Sequence, residues 1–227
     1  AKGWEAAQPH LSSIDETIIA LAHNGTLVNF DALRKELAIR NISFRSDTDS
    51  EVAAQLIGYF TQKTHRLRSG IAATMHLIEG GYAMVLVREN ALYAFRDPHG
   101  IRPLVLGRLG SPEDNSWVVA SETCALDIVG ATFIREVEPG EIIKISDDGL
   151  RSEQGLAHRD PAACIFEDVY FSRPDSVVDG RSIYWVRHTM GRQLARETSV
   201  DADLVIGVPD SGVPAAEGFA AELGIPF

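Results

Sequence analysis

Asn24 and Gly25 follow an apolar, β-prone run at residues 18–22, and the chain becomes apolar again at Leu27. Glycine permits a backbone turn with positive φ and asparagine tolerates one, so a hairpin turn is one interpretation. The alternative is chemical, because the Asn24 side-chain amide and the Gly25 N–H would place two donors side by side at a strand end. Such a pair can stabilise the oxyanion that develops during acyl transfer. The dipeptide alone is a weak signal and leaves both interpretations open.

Asp210 and Ser211 form a second candidate, in a loop between an apolar run at 204–208 and a helical pattern at 214–223. A strand, a glycine-containing loop and a helix form the α/β unit whose loop amides commonly hold phosphate. The two oxygen-bearing side chains could also face a hydrated Mg²⁺ beside a phosphate. An ordinary α/β crossover turn is the alternative, and the spacing matches neither a Walker loop nor a dinucleotide fingerprint.

Asp49 and two cysteines are the remaining candidates for chemistry. Asp49 or Ser50 would cap the helix that is expected to start after the polar loop at 45–51. Cys124 and Cys164 lie far apart without CxxC spacing, which indicates no disulfide framework and favours a reducing cytoplasm. We expect Cys124 to be a buried small side chain rather than a nucleophile.

Composition narrows the class of protein. The chain has 227 residues, 45% of them hydrophobic, which is ordinary for a globular protein with a substantial core. A formal net charge of −11 argues against a general nucleic-acid binder, whose surface would be basic. No run approaches the length of a membrane span, and the N-terminal residues lack both regions of a signal peptide. We therefore expect a cytoplasmic protein without membrane or nucleic-acid partners.

Apolar periodicity predicts helices first and short strands afterwards. Three helices are expected to begin near residues 29, 50 and 68, with apolar faces at Leu33, Leu37 and Ile39, then Val52, Leu56, Ile57 and Phe60, then Ile71, Met75 and Ile78. Strands with turn signals between them follow at 82–88, 91–97, 103–109, 116–122 and 142–145. Helices followed by antiparallel strands indicate an α+β fold, with helices packed on sheets in layers.

The pattern changes after Gly149, where residues 151–163 are predicted to be a polar linker. Beyond it the sequence predicts a helix at 182–198, a strand at 204–208 and a helix at 214–223 with Gly224 as its C-cap. We therefore predict a first domain of residues 1–155 and the beginning of a second at 156–227. Residues 1–14 show no strand or helix that could found a fold, and the last three residues look like the start of a strand. Both ends are therefore expected to be cuts.

Six stretches together resemble the amidophosphoribosyltransferases, also called glutamine phosphoribosylpyrophosphate amidotransferases, which catalyse the first committed step of de novo purine synthesis. They are ALAHNGTLVNFDALRKEL, DSE, GGYAMVLVRENALYAFRDPHGIRPLVLG, VVASETCALDIVGATFIREVEPGEI, IFEDVYFSRPDS and VIGVPDSGVPAAEGFAAELGIPF. The resemblance implies an N-terminal-nucleophile glutaminase domain, an αββα sandwich, followed by an α/β phosphoribosyltransferase domain. It implies that glutamine is hydrolysed in the first domain. Ammonia then displaces pyrophosphate from phosphoribosylpyrophosphate in the second, giving 5-phosphoribosylamine.

The resemblance gives the candidate residues roles. Asn24 and Gly25 match the oxyanion-hole pair, and Asp49 matches the acid that holds the α-amino group of glutamine. Asp210 and Ser211 match the loop that contacts pyrophosphate and Mg²⁺. The family also implies a homo-oligomer, a dimer or a tetramer.

Cys164 matches the first cysteine ligand of the [4Fe–4S] cluster that some members carry. Ligation of such a cluster normally takes four thiolates, and members without the cluster exist, so the resemblance leaves both possibilities open. The stretch 97–102 is expected to serve the sandwich through its Asp-Pro and Gly turn chemistry, without a catalytic role for His99.

The sequence departs from the family at its catalytic centre. The family's glutaminase uses the thiol of a residue-one cysteine, with its own α-amine as base, whereas residue one here is Ala1. The arginine-containing segment for the glutamine carboxylate and the acidic phosphoribosylpyrophosphate motif are also absent. We expect these 227 residues alone to be inactive. The alternatives are another type 2 glutamine amidotransferase, which should lack VYFSRPDS and the PDSG loop, and a non-catalytic scaffold of the same fold.

Overall fold

The computed structural model describes residues 3–14, 17–111, 116–157, 159–198 and 200–227. The chain divides into two compact units, the first formed by residues 1–121 and 134–163 and the second by 122–133 and 164–227. The domain boundary proposed from the sequence stays a prediction. Across the described ranges, no helix has both the length and the apolar character that a membrane crossing requires.

The first unit contains the three predicted helices: α1 at Phe30–Ile39, α2 at Asp49–Thr64 and α3 at Leu67–Leu77. A short 3₁₀ turn at Trp4–Ala6 precedes them. The predicted apolar faces are largely buried in one core, but Ile39 is 82% exposed. The prediction for Ile39 was wrong because α1 ends at this residue, where its side chain lies beyond the packed face.

A six-stranded antiparallel sheet carries the helices on one face. Its order is β1 (His10–Ile14), β2 (Thr17–Leu27), β3 (Gly80–Arg88), β4 (Ala91–Arg96), β8 (Glu141–Ser146) and β9 (Gly149–Gln154). Two of these strands contradict the sequence analysis. β1 lies in the segment where no founding strand was expected, and β9 occupies the start of the predicted linker. Both are edge strands, so each needs a backbone partner on one side only.

A second sheet of three strands has the order β6 (Trp117–Ala120), β5 (Val105–Arg108) and β7 (Thr132–Glu136). A small core lies between the two sheets, formed by Ala83, Ala94, Leu104, Leu106, Val137 and Ile143. Alternation along β3 explains the layering, because Met84 and Leu86 face the helices whereas Ala83 faces the second sheet. The predicted α+β sandwich is therefore confirmed.

The second unit contains α4 (Thr123–Val129), a π-helix (Glu167–Phe171), the hairpin β10 (Val177–Val178) and β11 (Arg181–Ser182), α5 (Ile183–Glu197) and α6 (Val213–Leu223). α5 and α6 pack at backbone contact, since a Cβ on Gly191 would lie 1.8 Å from the Ala215 carbonyl oxygen. Gly224 ends α6 with φ 71°, as predicted.

The predicted strand at 204–208 is not formed, nor is one at 225–227. In this part of the described chain, the Val205 N–H donates to the Pro226 carbonyl at 3.0 Å. A single hydrogen bond between two segments does not make a ladder. The prediction of strands in these two segments was therefore wrong.

Candidate functional site

Asn24 and Gly25 lie inside a strand rather than in a turn. β2 pairs with β3 without interruption as far as Leu27, with Asn24 opposite Ala83 and Gly25 opposite Tyr82. Gly25 has φ 145°, and a Cβ at this position would lie 2.1 Å from the Gly81 carbonyl oxygen. The position therefore requires glycine. The hairpin interpretation is wrong, as is the expectation that the strand ends here.

The peptide of Gly25 faces away from β3. In an antiparallel ladder, the N–H and C=O of one residue point to the same side of the strand. Opposite Gly25, the Tyr82 N–H donates to the Asp97 carboxylate at 3.2 Å, and the Tyr82 carbonyl accepts from the Asp97 N–H at 2.9 Å. Tyr82 and Gly25 are therefore a non-hydrogen-bonded pair, and this alternation directs the Gly25 N–H and C=O toward the β1 side.

Side chains replace a neighbouring strand on that side. The β1 ladder ends at the pair His10 and Leu21. Beyond it, the Gln8 side-chain amide donates to the His23 carbonyl at 2.9 Å and accepts from the His23 N–H. Two steps past the intervening glycine, the Leu27 N–H donates to the Asp49 carboxylate at 2.9 Å. The Gly25 N–H and C=O thus face the part of the β2 edge that lies between the Gln8 amide and the Asp49 carboxylate.

Next to the same edge, Asn24 lines a cleft of about 240 Å³. The cleft is lined by Gln8, Ala22, His23, Ala83, Val85, Leu104, Val119, Ala120 and Ser121 in addition to Asn24. The Asn24 Nδ2 lies 3.4 Å from the Ser121 Oγ, which is a long contact. The side-chain amide of an exposed Asn24 is therefore available to a ligand in the cleft.

Asp49 stands at the start of α2, but it does not cap the helix. Thr48 is the N-cap, and its Oγ1 accepts from the Glu51 N–H at 3.2 Å. The predicted cap at Asp49 or Ser50 was wrong by one position or two. Because Thr48 accepts the capping hydrogen bond, the half-buried Asp49 carboxylate does not cap α2. It accepts from the Leu27 N–H instead and lies 4.0 Å from the His23 Nδ1.

Glu51 anchors the loop that leads to Asp49, a role that was not predicted from the sequence. The residue is 4% exposed, and its carboxylate accepts from the Arg45 N–H, the Ser46 N–H and the Ser46 hydroxyl at 2.6–2.8 Å. Burial acts to raise the pKa of Glu51, but these hydrogen bonds outweigh it and hold the pKa below its ordinary value. The signal was present, because a Glu three residues after Thr48 has capping-box spacing.

His23 directly precedes the dipeptide in β2 and is buried, and no role was predicted for it from the sequence. Its Nδ1 lies 3.0 Å from the Ser50 hydroxyl. Burial lowers the pKa of His23, Arg102 and His10 lower it further, and Asp49 opposes them. The imidazole is therefore neutral near pH 7 and fixes the strand to α2 as a hydrogen-bonding group rather than as a charge.

The turn at 97–102 has the structural role expected of it. The buried Asp97 carboxylate accepts from the N–H groups of Tyr82, His99, Ile101 and Arg102. Such a nest of donors holds the turn against β3. The site residues are thus supported from two sides by carboxylates that bind backbone amides.

The second unit holds Asp210 and Ser211, immediately before the 11-residue helix α6. Asp210 is exposed and Ser211 is half-buried. The loop is tight, because the Gly212 N–H donates to the Val208 carbonyl at 3.1 Å and a Cβ on Gly212 would lie 2.8 Å from that oxygen. Among the described residues no group of three or more His, Cys, Asp or Glu could hold a metal ion. A hydrated Mg²⁺ held partly by substrate phosphates needs no such group.

Cys164 and Cys124 are both free thiols of the second unit. Cys124 is 4% exposed, as predicted, whereas Cys164 is half-buried. Because an iron–sulfur cluster normally takes four thiolates, the two cysteines of this sequence do not fit such a group by themselves. The role of Cys164 as a cluster ligand stays a prediction.

Comparison with known proteins places these features in a family. Residues 2–127 match the family described as the glutamine amidotransferase domain. The amidophosphoribosyltransferase of Synechococcus elongatus is 45% identical over 97% of the chain, and that of Bacillus subtilis is 43% identical over 99%. The chain spans about 45% of the length of these relatives.

A solved structure agrees over the same extent. The B. subtilis glutamine phosphoribosylpyrophosphate amidotransferase, complexed with ADP and GMP, matches with a TM-score of 0.90 and 42% identity. The match covers 100% of this chain and 49% of that one. The resemblance drawn from the sequence is confirmed, and it extends across both units.

Proposed function

Because the chain belongs to the glutamine amidotransferase domain family, we propose that its first unit serves glutamine hydrolysis in an amidophosphoribosyltransferase. Glutamine and water give glutamate and ammonia, and the ammonia displaces pyrophosphate from phosphoribosylpyrophosphate to give 5-phosphoribosylamine. The observation that carries this proposal is the Gly25 peptide, which faces a strand edge beside Asn24 and Asp49.

The proposed roles follow from the donors and acceptors at that edge. The Gly25 N–H and the Asn24 amide bind the oxyanion of the tetrahedral intermediate, where preorganised donors act most strongly. The Asp49 carboxylate binds the α-ammonium group of glutamine. Ala1 supplies no thiol, so the hydrolysis is proposed for the full-length protein and not for these 227 residues alone.

For the second unit we propose that Asp210 and Ser211 contact pyrophosphate and Mg²⁺. The support is their place before the N-terminus of α6, where N–H groups and the helix dipole favour an anion. Mg²⁺ would neutralise charge on the leaving pyrophosphate. A homo-oligomer is proposed from the family resemblance. A cytoplasmic location is proposed from the two free thiols.

The test is a pair of variants in the full-length protein, assayed with glutamine and with ammonia as nitrogen donors. Asn24→Ala should lower glutamine hydrolysis by roughly a hundredfold, as oxyanion-donor deletions do, while ammonia-dependent synthesis survives. Asp210→Ala should impair the use of phosphoribosylpyrophosphate with either nitrogen donor. Each variant is the control for the other, because they address different half-reactions.

Three outcomes would contradict the proposal. Equal loss of both activities in Asn24→Ala would defeat the oxyanion assignment. Unchanged turnover and an unchanged Michaelis constant for phosphoribosylpyrophosphate in Asp210→Ala would count against the loop. Glutamine hydrolysis without pyrophosphate release would indicate another type 2 amidotransferase, and absence of both would indicate a non-catalytic scaffold.

A further inference from the structure

We propose that Gln8 is a positioning residue, whose side-chain amide takes the place of a strand beside His23 and so fixes the donors of Asn24 and Gly25. The inference rests on the proposed glutamine hydrolysis. It assigns Gln8 a role in that half-reaction only, and none in the transfer of ammonia to phosphoribosylpyrophosphate. Gln8 precedes β1 and lines the same cleft as Asn24.

The geometry of the contact is that of one step of a β-ladder. A backbone unit offers one N–H and one C=O, and a primary amide is the neutral side chain that offers the same pair. Gln8 donates from Nε2 to the His23 carbonyl at 2.9 Å, and its Oε1 accepts from the His23 N–H. These two bonds continue the edge of β2 one step beyond the pair Leu21 and His10, at which β1 ends.

Fixing residue 23 fixes the two residues that follow it. The His23 carbonyl belongs to the peptide that contains the Asn24 N–H, so Gln8 holds the plane from which the Asn24 side chain starts. On the other side of the strand, the Ser50 hydroxyl holds the His23 ring at 3.0 Å. Three hydrogen bonds therefore hold His23, directly before the two proposed oxyanion donors.

Core packing does not explain this glutamine. Gln8 is exposed, whereas both polar ends of its amide are bonded. Hydrogen bonds at an exposed position contribute little to global stability, because water replaces them when they are lost. A displaced oxyanion donor, in contrast, weakens catalysis strongly. The effects of substitution on stability and on turnover should therefore separate.

Gln55 provides a matched control within the same unit. Its amide bridges to β1, accepting from the Ser12 hydroxyl at 3.0 Å and donating to the Leu11 carbonyl at 3.4 Å. Like Gln8 it is a side-chain amide that bonds to a strand of this sheet, but it bonds to β1 rather than to β2, away from the donors. Gln55→Ala therefore measures what the loss of a bridging amide does to β1 alone.

The experiment compares Gln8→Ala, Gln8→Glu and Gln55→Ala in the full-length protein. Gln8→Glu keeps the size and one acceptor, loses the donor, and places a negative charge against the His23 carbonyl. Both Gln8 variants should lower kcat for glutamine hydrolysis by about ten- to a hundredfold, with KM for glutamine changed by less than about threefold. Gln55→Ala should change kcat by less than about threefold.

Ammonia-dependent synthesis and the thermal midpoint report whether each variant is folded, and both should stay close to wild type. A Gln8→Glu protein with wild-type kcat would overturn the inference while leaving the proposed function intact. An effect confined to KM, or one that Gln55→Ala reproduces, would overturn it too. A wild-type protein without glutamine hydrolysis would instead overturn the proposed function, and this inference with it.

Discussion

Two glycine-containing segments look alike in the sequence and are built differently in the structure. The dipeptide at Asn24 and Gly25 and the loop at 209–212 were both expected to present donors where a strand ends. In the first, the donors lie within β2, and the side chains of Gln8 and Asp49 hold the neighbouring peptides. In the second, the loop is closed by its own backbone, with Gly212 bonded to Val208.

The difference shows how far each site depends on distant parts of the chain. Residues distant in sequence set the geometry at Gly25, because β3, α2 and the segment before β1 supply its neighbours. Four consecutive residues and one helix set the geometry at Gly212. A substitution in the first site should therefore be felt more strongly than a comparable one in the second.

Gly25→Ala should have the largest effect. The residue combines φ 145° with a Cβ that would lie 2.1 Å from a backbone oxygen, so strain and overlap both act, and we expect a loss of about 3–5 kcal/mol. Gly212→Ala has an ordinary φ of −79° and a contact at 2.8 Å, so about 1–2 kcal/mol is expected. Urea unfolding of the full-length variants measures both.

Gly130→Ala is the control for strain alone. Gly130 has φ 71°, and a Cβ there would meet nothing within 4 Å, so we expect about 1–2 kcal/mol. Equal losses at Gly25 and Gly130 would show that the close approach to β3 is relieved at little cost. A larger loss at Gly212 than at Gly25 would reverse the comparison.

Glu51→Gln tests how far the buried Glu51 carboxylate, which anchors the loop before α2, stabilises the first site. The variant keeps the shape and removes a charge that accepts three hydrogen bonds, and we expect a loss of about 1.5–3 kcal/mol at pH 7. Because the folded pKa of Glu51 is lowered, its contribution is present above the unfolded pKa of about 4.3 and is lost as pH falls through the folded pKa.

The measurement is the free energy of unfolding of both proteins between pH 7 and pH 3. The two curves should converge at the acid end, since the wild-type carboxyl is then protonated as well. A difference that stays constant over this range would mean that shape, and not charge, anchors the loop. Ser46→Ala, which removes one of the three donors, should cost less than Glu51→Gln.

The helices could be predicted from the sequence, and the edge strands could not. Leu33 and Leu37 in α1 lie four residues apart, as helical spacing requires, and both are buried, as is Ile71 in α3. β1 inverts the usual pattern, because its buried residues are His10 and Ser12 while Leu11 is 47% exposed. His10 contacts the Thr48 hydroxyl and Ser12 donates to Gln55, so polar partners in α2 replace the apolar core that periodicity assumes. β9 pairs with β8 along its whole length although its last four side chains are exposed, so its polar sequence shows no apolar alternation.

The candidate site was found in part. The sequence indicated that Gly25 permits a positive φ, and the residue has one, but the prediction placed that conformation in a turn because turns are where it usually occurs. The role of Asp49 was assigned through the resemblance. In the structure its carboxylate accepts from the N–H of Leu27, which lies two residues after Gly25 in β2. Gln8 and His23 carry no local pattern that distinguishes support from solvent exposure, so only tertiary contacts reveal them. Glu51 has capping-box spacing after Thr48, but its partners, the Arg45 and Ser46 N–H groups, are seen only in the structure.

His23 gives the smallest of the expected effects. Its folded pKa lies below the unfolded value of about 6.5, so the unfolded chain binds a proton that the folded protein resists as pH falls through this region. The free energy of unfolding should therefore fall from about pH 6.5 downward, by about 1.4 kcal/mol per pH unit at most, until the folded imidazole is protonated too. His23→Gln removes this dependence, so its curve should be flatter between pH 7 and pH 5.

The control His76→Gln removes an exposed imidazole and measures what the loss of a histidine does by itself. Parallel curves for wild type and His23→Gln would show that the site tolerates a charged imidazole. The attraction of Asp49 would then have to offset burial and the repulsion of Arg102 and His10 at His23.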